Sequence, residues 1–186
     1  GLTSDIDYNA YRFTPGVGTA VIRVCCGTRV GADINDAGTV VGTAQQGESA
    51  RGFVASATST MILPALPGLP QYQGAGAVAI NNAGTIAGSS DAPDFKPRAV
   101  LWSPAGVIQD LGIPNSTAID INTAGQVLVA SSFGAAPFFL WSPGGAVQNL
   151  NTLLGALTSV VELNDAGQII GTYTSSGGAS HAFLYT

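Results

Sequence analysis

Carboxylates set among asparagines, one histidine and one cysteine pair are the side chains in this sequence with the means to act on a ligand. Asp33, Asn35 and Asp36 precede Gly38, a pattern similar to the oxygen-donor loops that hold calcium. Such loops place donors at the first, third and fifth positions before a glycine and close the shell with a downstream bidentate Glu. Here Ala37 takes the fifth position, the counterparts of Asp33 are Ala79, Asp120 and Glu162, and no downstream bidentate Glu closes the shell. The residue types fit a tight turn better: Asn and Asp begin it, and Gly takes the positive-φ position. No metal is expected.

His181 is the only histidine. As a general base it needs a Ser or Cys placed against it, and no G-x-S-x-G elbow precedes a helix. Asp91 with Asp94, or Asp120 with Glu162, has the composition for paired-carboxylate chemistry, but eleven acids in any fold give such pairs by chance. The P-loop spacing with Lys does not occur among the 25 glycines. The expectation is a protein that is not an enzyme and takes no cofactor. Cys25 and Cys26 are the only cysteines, too few for a disulfide framework and without metal-ligand spacing. Neighbours on a regular strand point to opposite faces, so a bond between them requires a local turn, which Gly27 can help make. Two reduced thiols, or an intermolecular disulfide, are the other readings.

The elements that position these residues form a repeat. Ile34-Asn35-Asp36-Ala37-Gly38 recurs as Ile80-Asn81-Asn82-Ala83-Gly84, Ile121-Asn122-Thr123-Ala124-Gly125 and Leu163-Asn164-Asp165-Ala166-Gly167, with 46, 41 and 42 residues between successive asparagines. A second landmark is an apolar strand ending in an aromatic residue and Ser or Thr. Its copies are Ala10–Thr14, Gly52–Ser56, Ala99–Ser103, Phe138–Ser142 and Ala182–Thr186, with Phe53 followed by Val54 and Ala55 in the second. A turn such as Pro104-Ala105-Gly106, a second strand, a third strand, the Asn-x-Ala-Gly turn and a fourth strand follow in constant order. Short runs rich in Val, Ile and aromatics between Gly, Pro and Asn read as strands. The best helix candidate, Leu150 to Leu157, amounts to one short turn.

Four strands in about 42 residues is the size of a propeller blade. The fold class expected is all-β, propeller-like tandem four-stranded repeats in one domain, 1–186, with units near 10–51, 52–98, 99–137 and 138–181 and a terminal strand 182–186. The aromatic strand occurs five times and the others four times each, so there are 17 strands. Four closed four-stranded blades leave one strand surplus. A surplus strand is a template for another chain, or a capping strand that packs locally. Tyr11, Phe13, Phe183 and Tyr185 are the candidate self-association residues. Trp102 and Trp141 hold the same place in consecutive units, which assigns them to packing between blades.

Composition narrows the partners. Charged residues make up 9% of the chain, against about 25% in an ordinary soluble domain. Six scattered basic residues and a net charge of −5 do not make a phosphate-binding surface, so nucleic acid is not expected. No apolar run is long enough for a membrane span. Gly1-Leu2-Thr3-Ser4 lacks the basic start and apolar stretch of a signal peptide, and reads as the beginning of a mature secreted product. A surface of Ser, Thr, Asn, Gln, Gly and Ala suits secretion and packing against copies of itself. Loops that join the fourth strand to the next aromatic strand emerge on one face and gather Glu48, Arg51, Asp91, Asp94, Phe95, Lys96, Arg98, Phe133 and His181 on a candidate binding rim. The Pro-rich insert Leu63 to Gln73 is expected on the opposite side.

With these landmarks in place, the chain resembles the bacterial extracellular HAF-repeat family. His181-Ala182-Phe183-Leu184-Tyr185-Thr186 carries its His-Ala-Phe phrase. Ile34 to Gly42 and Leu163 to Gly171 carry the companion Ile-Asn-Asp-x-Gly phrase with two apolar residues and Gly; the copy at Ile80 to Gly88 differs at Asn82 and Ala87, and Val129 replaces the last Gly of the third. The resemblance implies export and tandem β-repeats, and supplies no catalytic residue or ligand. The function expected is a secreted, non-catalytic structural or adhesive protein that self-associates as a homo-oligomer or homopolymer. The alternative is a monomeric module that binds a partner such as a glycan through the rim.

Overall fold

A computed structural model describes residues 10–22, 29–46, 49–68, 74–132, 138–154 and 157–186. Cys25, Cys26, Glu48 and Phe133 lie outside the described residues. Strands β1 (Ala10–Thr14) and β2 (Gly18–Ile22) form a hairpin. Three four-stranded antiparallel sheets follow: β3 (Arg29–Ile34) to β6 (Thr60–Ile62) through β4 (Val40–Gln46) and β5 (Ser49–Ala55); β7 (Ala75–Ile80) to β10 (Ile108–Asp110) through β8 (Ile86–Asp91) and β9 (Pro97–Trp102); and β11 (Ser116–Ile121) to β14 (Ala146–Asn149) through β12 (Val127–Ser131) and β13 (Phe138–Ser142). Helix α1 (Leu150–Leu154) is the single turn expected there. A three-stranded sheet of β15 (Leu157–Leu163), β16 (Ile169–Thr174) and β17 (Ser180–Tyr185) ends the chain.

The described residues thus hold the 17 strands that the repeats imply, in all-β, propeller-like succession. The hydrogen bonding sets their frame. The aromatic strand is third in its sheet, as β5, β9, β13 and β17, so each sheet begins two strands after the aromatic strand that opens a sequence unit. Consequently β1 and β2 are the third and fourth strands of a blade without its first two, and β15–β17 lacks a fourth. No strand pairing joins β17 to β1 or β2. The two ends of the stack are thus unpaired, although Ile34, Asp36 and Asp165 line one depression of about 220 Å³ at the Asn turns.

Alternation along each strand glues the blades together, because successive side chains point to opposite faces. On β4, Val40 packs with Ile22 and Phe53 toward the hairpin, whereas Val41 packs with Ile86, Val100 and Trp102 of the next sheet. On β12, Val127 meets Ala87 and Leu101 on one side, and Leu128 meets Val160 and Ile169 on the other. Trp102 and Trp141 are both buried between sheets, as their matching positions imply, and the Trp102 indole N–H donates to the Pro64 carbonyl at 2.8 Å.

The glycine that directly follows the apolar pair in three of the four units has a steric reason. A Cβ at Gly42 would collide with the Val30 carbonyl oxygen, at Gly88 with that of Gly76, and at Gly171 with that of Ser159. Aromatic rings lie over the same glycines: Phe53 on Gly42, Trp102 on Gly88 and Phe183 on Gly171. Here the backbone and an aromatic ring fill the space that a side chain would need.

The Pro-rich insert corrects one expectation. Two strands, β5 and β6, separate the β4–β5 loop from the insert, so the chain returns to the end of the sheet it left. A Cβ on Gly68 would stand 3.6 Å from Pro93 of the rim loop, and the Leu66 N–H donates to Ser90 Oγ. The described part of the insert, residues 63–68, shares one side with the rim.

Candidate functional site

The opposite end of the stack carries the Asn turns, and their side chains connect one sheet to the next. Each Asn side-chain oxygen accepts the N–H four residues on: Thr39, Thr85, Gln126 and Gln168. The amide nitrogen reaches forward, so Asn35 donates to the Asn81 carbonyl, Asn81 to that of Asn122, and Asn122 to that of Asn164. Asn164 instead donates to Gln168 Oε1 in its own turn. The turn glycines, Gly38, Gly84, Gly125 and Gly167, all have positive φ, where side chains are disfavoured.

The carboxylates near these turns are struts. A bulge in each inner strand precedes the Asn and re-aims the side chain beside it. Asp33 therefore accepts the N–H of Ile80 at 2.8 Å in the next sheet, and Asp120 that of Leu163 at 2.7 Å. The second oxygen of each takes the N–H of its own successor. Burial pushes the Asp120 carboxyl above its ordinary range; the Leu163 and Ile121 N–H groups oppose this, and the charges of Asp33 and Glu162 add to it. Asp36 and Asn82 bond reciprocally, and the hydroxyl and N–H of Thr123 both bond Asp165, holding that carboxyl below its ordinary range. Among the described residues no three His, Cys, Asp or Glu side chains converge on one point.

The rim residues divide. Asp94, Phe95 and Lys96 stand on the β8–β9 loop, beside Arg98 at the start of β9. Arg98 bonds Asp94 at 3.2 Å and approaches Asp110 at 3.8 Å. Slight burial pushes the Asp94 carboxyl up, but the hydrogen bond and charge of Arg98 outweigh it and hold the group low. Phe95 is 74% exposed at φ 61°, a left-handed conformation that costs a bulky residue energy. Asp91 turns inward and accepts the Gly74 N–H at 2.9 Å, apart from Asp94. Arg51 lies on β5, a sheet earlier. His181 lies on β17, where it stacks on Tyr173 with ring centroids 5.2 Å apart.

The ends of the stack differ most from its middle. Ile34 is 52% exposed, while its counterparts Ile80, Ile121 and Leu163 are 6%, 6% and 4% exposed. Ile170 is 41% exposed, although Val41, Ala87 and Leu128 at the same position are fully buried. Leu184 is 60% exposed, against 6% and 7% for Leu140 and Leu101. Tyr11 and Phe13 are exposed as well, whereas their counterparts Phe183 and Tyr185 pack onto the preceding sheet. A notch of about 370 Å³ beside Tyr11 and Phe13 opens over Gly31 and Ile34, where the first two strands of the incomplete blade would lie. Sequence reasoning selected the four terminal aromatics and missed Ile34, Ile170 and Leu184, because nothing in their types separates them from buried counterparts.

No helix among the described residues is long and apolar enough to cross a membrane. No protein-family model matches the chain, and no curated protein sequence matches it. Among solved structures it is similar to TolB from Acinetobacter baumannii, with a TM-score of 0.60 at 13% identity over 92% of this chain and 44% of that one. The likeness shows the β-propeller-like fold, and the chain spans less than half the length of that structure.

Proposed function

We propose that this chain is an exported, non-catalytic structural or adhesive β-repeat protein that joins copies of itself head to tail. The observation that carries the reading is the exposure of Ile34 and Ile170 at opposite ends of the stack, at positions buried in every internal blade. The two ends also match in strand type. Hairpin β1–β2 has the outer half of a blade, and β15–β16 has the inner half. A hairpin donated by a second copy would complete a four-stranded sheet in place of β17. Tyr11 and Phe13 would then fill the positions of Phe183 and Tyr185, and the Ile170 face would cover Ile34 of the donor. Asn164 would find the carbonyl of the donor's first Asn turn, continuing the amide chain.

Ile34, Tyr11, Phe13 and Ile170 would each contribute about 1–2 kcal/mol on burial, offset in part by the release of Phe183 and Tyr185. Association costs roughly 4–15 kcal/mol, so assembly is concentration-dependent. The sparse charge of the surface and the resemblance to HAF repeats support export. Light scattering and electron microscopy of the native protein test the reading: ordered oligomers or polymers are expected, and deletion of residues 1–14 should abolish them while the β-sheet circular dichroism persists. Assembly that survives the deletion argues against strand donation.

A second reading rests on Phe95, an exposed ring held in a disfavoured conformation beside the Asp94–Arg98 pair. It assigns the rim to a partner such as a glycan. Glycan-array binding by a monomeric protein, lost in Asp94→Ala and Arg98→Ala, would favour it.

A further inference from the structure

Arg12 stands where the other aromatic strands place an aliphatic side chain: Val54, Leu101, Leu140 and Leu184. Its guanidinium therefore enters the space between two sheets. One of its nitrogens, Nη1, donates to the Gly38 carbonyl at 3.2 Å. The Nε–H is buried and has no partner, and no carboxylate among the described residues pairs with the group. Arg12 as a whole is half-buried, but its Nε–H is shut off from water, and a buried unpaired donor calls for a missing acceptor.

The surrounding crevice has room for one. It measures about 230 Å³ between hairpin β1–β2 and the β5–β6 turn. Its inner wall is apolar, with Ile22, Val40 and Ala55, while its mouth carries Thr58 and Thr60. Neither threonine hydroxyl is committed to a hydrogen bond within the described residues. The Arg fork matches a planar oxyanion. A single cation and an apolar wall suit a short aliphatic monocarboxylate better than phosphate, which favours several cations or a run of backbone N–H groups.

We infer that this crevice is a binding site for a small organic carboxylate, its oxygens held by the Arg12 guanidinium and a threonine hydroxyl at the mouth, its short aliphatic body against Ile22 and Val40. Arg12 also lines the notch beside Tyr11 and Phe13, so the site is read at concentrations where the chain is monomeric.

The test is a titration of the full chain with butyrate, read by the ¹H–¹⁵N signal of the Arg12 Nε–H and assigned by its loss in Arg12→Lys. Phosphate and chloride at matched ionic strength serve as controls. The expected result is a saturable shift with a Kd of about 0.1–1 mM, larger for butyrate than for phosphate. Thr60→Val, which leaves the hairpin contacts alone, should weaken binding by ~3-fold, and Arg12→Lys, followed calorimetrically, by at least ~10-fold. A signal unmoved by butyrate, a shift reproduced by the control salts, or variants that bind like the parent would each overturn the assignment.

Discussion

Replacing Asn81 with Ala removes two interactions from the middle of the Asn chain. The Thr85 N–H loses its acceptor at 3.0 Å, and the Asn122 carbonyl loses a donor at 3.0 Å. That carbonyl keeps the Gly125 N–H, so its loss is minor. The Thr85 N–H is orphaned, at about 1–3 kcal/mol. Asn81 is itself buried, so water cannot readily replace the amide, and the total comes to about 2–3 kcal/mol. Asn164→Ala is the control. Asn164 accepts the Gln168 and Ala166 N–H groups, but it is exposed and donates only to Gln168. Water can serve those groups, so the cost should stay below about 1 kcal/mol. Urea denaturation followed by Trp fluorescence suits the comparison, because Trp102 and Trp141 report on two of the three inner blades. Equal destabilisation by the two changes, or a cost at Asn81 below about 0.5 kcal/mol, would refute the idea that the amides brace neighbouring blades.

Other consequences are accessible to simple assays. Gly88→Ala drives a methyl into the Gly76 carbonyl and the Trp102 ring, and should cost about 3 kcal/mol or prevent folding; a thermal melt that matches the parent would show that the backbone can yield there. The Asp94 carboxyl should titrate below its ordinary value, and Arg98→Gln should raise its midpoint in a ¹³C pH titration. Because the folded value is the lower one, the pair stabilises above the ordinary carboxylate range and loses that contribution as pH falls through the folded value. An Asp94 midpoint that does not move in Arg98→Gln would mean that the ion pair is not formed in solution.

Much of the architecture is readable in the residues. The turn glycines, the aromatic strands, the single helical turn after Asn149 and the burial of both tryptophans follow from local chemistry repeated in order. The sheet frame does not, because a tandem repeat has no intrinsic first strand: only hydrogen bonding shows that Phe53 and Trp102 belong to third strands. The side on which the Pro-rich insert lies was legible by counting strands, since two strands return the chain to the end it left. Exposure at the ends is different. Ile34 and Ile80 have the same type and the same neighbours in sequence, and differ only in whether a blade stands in front of them. Arg12 carried a signal in plain view, a charge in a column of Val and Leu, which comparison of the five aromatic strands exposes.

Head-to-tail joining is tested most directly by blocking one end at a time. Ile34→Glu disables the notch and Ile170→Glu the opposite face; both side chains are well exposed, so each variant should fold. In sedimentation velocity each variant alone should be monomeric at concentrations where the parent assembles, and their equimolar mixture should form a capped dimer that grows no further. Assembly by either variant alone, a mixture that stays monomeric, or a parent that remains monomeric throughout would contradict the account.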